Sequence, residues 1–145
     1  MKFPLPIVTL LAGLMIGFYV NRLIVAAPTA FEHTAAPIHL SKVPFTSVSH
    51  NPEIKKQVLA RYFQLPHVTQ VAKAYLDPGQ VASENWHQDM VEMFLFVAGD
   101  GVLSLDGKNY SVSDGSVALV FPPTKHTIFN TADKPLELFT IASVS

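Results

Sequence analysis

Two stretches decide how this chain is read: GQVASENWHQDMVEMFLFVAG (residues 79–99) and GSVALVFPPTKHTIFN (residues 115–130). Each sets a short apolar run between turn residues. Asp77-Pro78-Gly79 turns the chain into the first stretch, and Gly99-Asp100-Gly101 turns it out again. Residues 92–98 are apolar after Glu92, as in a strand covered on both faces. Between the two stretches, residues 102–105 and 108–112 flank Asp106-Gly107, a strong two-residue hairpin signal. Ser113-Asp114-Gly115 is another turn, with a strand over 116–121 after it.

Moving outward, residues 67–76 read as a strand on the N-terminal side. Residues 127–129 and 136–142 read as strands on the C-terminal side, separated by a turn over 130–134. Short strands at this spacing predict an all-β fold, an antiparallel sandwich or barrel, over residues 51–145. Asn51-Pro52-Glu53 reads as a helix start, with a capping side chain and a proline at the first position. Ile54, Val58 and Tyr62 fit one helical face, although residues 58–63 also read as a strand. Tyr75, Trp86, Phe94 and Phe96 are expected to line or pack the barrel.

Residues 28–50 read as a linker, with an edge strand expected near 43–48. Residues 1–27 form an N-terminal hydrophobic segment. Lys2 precedes residues 3–20, which carry no charge, and Asn21-Arg22 interrupts the run before residues 23–27 resume it. A helix of this length nearly crosses a hydrocarbon core of roughly 30 Å. The apolar region is long for a signal peptide, and Val25-Ala26-Ala27 is followed by Pro28, a poor residue after a cut. A retained anchor is the preferred reading, with the rest of the chain outside the cytoplasm on the positive-inside rule. A cleaved signal giving a secreted or periplasmic protein is the alternative.

Composition closes off other functions. The formal net charge is −1 and no run of Lys or Arg occurs, so nucleic acid is not an expected partner. The absence of Cys removes disulfides, thiolate metal sites and thiol nucleophiles. Ser83 near Glu84 and His87 lacks the strained turn and oriented base of a nucleophilic site and reads as a rim serine. His33 and His39 fall in the linker, and His50 and His67 lie apart from the two decisive stretches.

Within those stretches, Asn85 and His87 lie two apart, so on a strand they share a face. Glu92 opens the next strand and His126 follows Pro122-Pro123. Two imidazoles and a carboxylate are good ligands for divalent zinc, iron or manganese. On the residue types alone, a hydrogen-bonded core or rim His and a solvated Glu are the more ordinary readings.

The spacing resembles the cupin family. Its first block runs Gly, five residues, His-x-His, three or four residues, Glu, six residues, Gly. Gly79, Asn85-Trp86-His87, Glu92 and Gly99 follow that pattern. Its second block runs Gly, five residues, Pro-x-Gly, two residues, His, three residues, Asn. Gly115, Phe121-Pro122-Pro123, His126 and Asn130 follow it. The resemblance covers residues 79–143 clearly and reaches back loosely to about residue 50. It implies a single antiparallel, jelly-roll-like barrel, with the hydrophobic N-terminal helix preceding it. It also implies a divalent metal, zinc, iron, manganese or nickel, held by His87, Glu92 and His126.

Asn85 stands where the family's first His ligand would be. It offers a weak amide oxygen as fourth ligand, or none, and Asp89 is a fallback if the strand carrying His87 continues. Phe121 and Pro123 replace the second block's Pro and Gly. The resemblance implies metal-dependent dioxygenase, isomerase or lyase chemistry on a small organic molecule. A non-catalytic binding module and a structural, homodimer-forming domain with a vestigial site are the alternatives.

Overall fold

The computed structural model describes residues 37–62 and 64–144; the N-terminal hydrophobic segment and the start of the linker lie outside the described residues. Among the described residues no helix is long and apolar enough to cross a membrane. The only helix there is one 3-10 turn, Leu40–Lys42. Ten strands follow: β1 Phe45–Val48, β2 Asn51–Arg61, β3 Val68–Leu76, β4 Val81–Asn85, β5 Met90–Ala98, β6 Gly101–Leu105, β7 Lys108–Val112, β8 Val117–Val120, β9 His126–Asn130 and β10 Leu136–Val144.

All pairings are antiparallel, within two sheets. The large sheet runs β1-β2-β3-β10-β5-β8 and the small sheet β4-β9-β6-β7. Period-2 side-chain alternation turns one face of each sheet toward the other. Phe94 and Phe96 of β5, Leu136 and Leu138 of β10, and Leu76 of β3 meet Leu103 of β6 and Ile128 of β9 in the shared core. Asp106 and Gly107 both take positive φ, 46° and 79°, which closes the β6–β7 hairpin as a two-residue turn. The edge strand expected near residues 43–48 is β1, paired with β2.

The helix expected from Asn51 is a strand. The Asn51 side chain does not cap a helix: its Oδ1 accepts from the Ser83 backbone N–H at 3.0 Å and the Ser83 hydroxyl at 2.9 Å, joining β2 to β4. Ile54 and Val58, four apart, also share a face in a strand, and both are buried. Sheet pairing on both edges of β2 outweighs the local helical signal.

Three further expectations need correction. Trp86 is 52% exposed, because it lies beyond the end of β4 in the β4–β5 connection. Tyr75 is on the outer face of the large sheet, where its ring meets Phe45 edge-on at 5.4 Å and its hydroxyl bonds Gln57. The outer face of β5 is only half-buried, so that strand is covered fully on the inside alone.

Gly99 ends β5 with φ 79°, and a Cβ there would collide with the carbonyl oxygen of Pro135. Gly107 has the same φ with nothing close by. Gly107→Ala should therefore cost only the left-handed backbone term, about 1–2 kcal/mol. Gly99→Ala should cost a further ~1–3 kcal/mol from the forced displacement of the β9–β10 turn. Urea unfolding of the two variants checks this; equal losses would mean that the close approach to Pro135 carries no energy.

Candidate metal centre

The two sheets bring opposing groups to one end of the core. Glu92 is the third residue of β5 and shares the inward side with Phe94 and Phe96. Its neighbours across the large sheet are Ala142 and Val120. His126 opens β9 in the small sheet, between Asn85 of β4 and Leu105 of β6. His87 enters from the β4–β5 connection, two residues past the end of β4.

The Nε2 atoms of His87 and His126 each lie 3.1 Å from the same Glu92 oxygen, Oε2. One donor atom from each of the three residues falls within 4.8 Å of the others. His126 is 6% exposed, with the Phe94 ring 5.5 Å from its own. Its Nδ1 faces the Thr124 carbonyl at 3.4 Å. A carbonyl only accepts, so Nδ1 is the donor in that contact, which fixes the ring's orientation with Nε2 toward Glu92. Burial would raise the Glu92 carboxyl. The His126 hydrogen bond and the charges of His126 and His87 outweigh it and hold the carboxyl below its usual range.

These donors fit a divalent first-row ion. Ligand bonds of about 2.0–2.2 Å place two donors at right angles roughly 3 Å apart, which matches the observed N···O separations. Neutral imidazole and carboxylate suit zinc, iron, manganese and nickel. Such an ion, when bound, would supply a Lewis acid to whatever occupies the cavity.

The sequence expectations meet the structure unevenly. Asn85 does reach the group, its amide nitrogen 3.2 Å from His87 Nε2. The reason differs from the one expected. β4 stops at Asn85, so the two side chains converge across a bend instead of sharing a strand face. For the same reason Asp89 is exposed and stands outside the group, which removes it as a fallback ligand. Ser83 is occupied by Asn51, as befits a rim serine. Pro122–Pro123, in the altered second block, is a cis peptide.

The group lies on the wall of a cavity of about 740 Å³. Ile54, Leu76, Phe94, Ile128 and Leu138 give it an apolar lining. Lys56, Arg61, Gln70 and His50 also line it. The sequence reading missed these four, three of which lie on or beside β2. An alternating reading of residues 54–58 would have put Lys56 on the same side as Ile54.

Residues 73–142 match the family model described as a cupin domain. Solved structures share the fold. A predicted oxalate decarboxylase from Thermotoga maritima is 20% identical with a TM-score of 0.70, over 76% of this chain and 100% of that one. A sugar phosphate isomerase from a cupin superfamily, from Silicibacter pomeroyi, is 19% identical with a TM-score of 0.65, over 76% of each. KdgF from Halomonas sp. is 17% identical with a TM-score of 0.64, over 77% and 96%. The fold is that of the cupins.

The depressed carboxyl has a consequence for acid stability in metal-free protein. Glu92 titrates lower folded than unfolded, where carboxyls of its type sit at about 4.3. Its contribution is thus complete above that value and is lost as pH falls through the lower folded value. Urea midpoints of chelator-treated protein should fall over this acidic window. Glu92→Gln should start lower at neutral pH and fall less. A parallel pair of pH curves would show that the carboxylate contributes nothing through its charge.

Proposed function

We propose that this protein is a small metal-binding cupin that holds one divalent ion through His87, Glu92 and His126, with Asn85 beside them, and receives a small organic molecule in the adjoining cavity. The observation that carries this reading is the convergence of two imidazole nitrogens on one carboxylate oxygen at 3.1 Å, on the wall of the cavity. Three or four protein donors are fewer than six-coordinate ions accept, so ligand atoms can complete the shell. Isomerase, lyase or dioxygenase chemistry fits such a site. A non-catalytic carrier of metal or small ligand is the second reading, favoured by the weak donor at Asn85 in place of an imidazole.

Untagged full-length protein should retain about one transition-metal ion per chain after mild dialysis, and the His87→Ala/His126→Ala variant should retain essentially none. Asn85→His should tighten zinc or nickel binding by about tenfold, since a neutral imidazole replaces an amide, and melting temperature against metal concentration for both proteins checks it; identical curves would mean that Asn85 does not face the ion. Equal metal content in wild type and double variant would remove the proposal.

We also propose that residues 1–27 hold the protein at a membrane with the barrel outside the cytoplasm. The support is the uncharged run over residues 3–20 with Lys2 before it. Carbonate extraction of membranes followed by N-terminal sequencing checks it. The expected product stays in the pellet with its first residues intact; a soluble product beginning near Pro28 would show a cleaved signal.

A further inference from the structure

The cavity has a second polar wall that the metal-ligand pattern does not account for. Lys56 of β2 is half-buried and faces inward, its Nζ 3.0 Å from Oε1 of Gln70 on β3. Arg61 ends β2 at the rim, directly across from Gln70 in the pairing of the two strands. Strand alternation alone would put Arg61 on the outer face with Lys55 and Gln57. The register shift between Val58 and Ala60 reverses that parity. A bulge re-aims the side chains beyond it, and here it brings Arg61 to the same cavity as Lys56.

Nothing among the described residues neutralises this pair. No carboxylate is within ion-pair distance of either cation. Glu92 is the one acidic residue among those lining the cavity, and its Oε2 is engaged by both His87 and His126. Burial and the charge of Arg61 lower the Lys56 pKa, with Glu92 offsetting part of the effect. Lys56 is partly buried among apolar walls, where a cation favours a partner of opposite sign, and Arg61 stands exposed at the rim and adds a second positive charge to the same cavity. A dication held by Glu92 would make the cavity more positive still.

We infer that Lys56 and Arg61 form an anion subsite, and that the protein's ligand is a small organic acid bearing an oxyanion, carboxylate or phosphate ester. One end of this ligand meets the lysine and arginine, its carbon skeleton lies against Ile54, Leu138 and Phe94, and its other end faces the His87–Glu92–His126 group. Arg presents a planar fork that pairs two oxyanion oxygens, and Lys adds a compact charge anchored by Gln70. The inference deepens the proposed small-molecule site, and only the metal-facing end of the ligand rests on that reading.

The test titrates full-length protein calorimetrically with three probes: glutarate, glycerol 3-phosphate, and glutaramide, which keeps the size of glutarate without its charge. Each titration is run on zinc-loaded and on chelator-treated protein. At least one of the two anions should bind in the millimolar range or tighter in both forms. Which one binds better separates a carboxylate from a phosphate ligand. Glutaramide should bind at least tenfold more weakly than glutarate if the ligand is a carboxylate, and show no heat if it is a phosphate. Lys56→Met and Arg61→Gln should each weaken anion binding by about tenfold or more, the scale of a lost charged partner. Lys56→Arg should keep most of it, and zinc stoichiometry should be unchanged in all three. Glutaramide binding as tightly as either anion, no anion binding to the wild type, or unaltered anion binding in folded Lys56→Met and Arg61→Gln proteins would each overturn the inference. Loss of zinc binding with anion binding intact would instead count against the metal reading alone.

Discussion

A carboxylate inside an apolar barrel must be partnered, and the end of this barrel is arranged around that requirement. Glu92 points inward from the large sheet in line with Phe94 and Phe96, a position in which an isolated charge would be expelled or neutralised. Its partners come from elsewhere: His126 from the small sheet and His87 from the connection that crosses between the sheets. The carboxylate is therefore a polar link between the two layers, beside those that Asn51 makes to Ser83 and Asn130 to the Leu76 carbonyl. The lowered Glu92 carboxyl shows that the imidazoles more than offset its burial. The same three groups that satisfy one another are the ones whose spacing admits an ion.

The cavity beside the group depends on the large sheet more than on the small one. β2, β3 and β10 give it its floor through Ile54, Leu76 and Leu138, and small side chains at Ala74 and Ala142 leave the space open. The bulge in β2 adds to the positive charge of the cavity lining, because it changes which face Arg61 occupies. A metal-ligand pattern confined to β4, β5 and β9 carries no information about that wall. On the proposed reading, donor identity at the first wall selects the ion and the cations at the second select the ligand.

Much of the fold was legible because the turns are chemically explicit. Asp106-Gly107, Gly99 with its positive φ, and Asp77-Pro78-Gly79 bound strands that fell close to their expected places. Glu92, His87 and His126 were legible through spacing, and the structure brings their donor atoms together. β2 was not, since Asn51-Pro52 carries a helix-start signal whose capping group is spent on Ser83, a residue distant in sequence. Missing that strand hid Lys56 and Arg61. Trp86 and Asp89 were misplaced for a shared reason: β4 ends at Asn85, so period-2 reasoning fails from the next residue onward.

That early stop also bears on Asn85. An imidazole at the end of β4 would present a strong neutral donor to the group, whereas the amide of Asn85 rests against His87 Nε2 instead. An amide oxygen binds a divalent ion weakly, so the remaining donors and any ligand must hold it. A negatively charged ligand is suited to that task. It can place an oxygen toward the metal group while its charge is met by Lys56 and Arg61 across the cavity. Under the proposed reading the weakened donor set and the cationic wall are two sides of one arrangement, in which ion and anion favour each other's binding. Reciprocity is then required by linkage: whatever factor the ion adds to the affinity for the anion, the anion adds to the affinity for the ion.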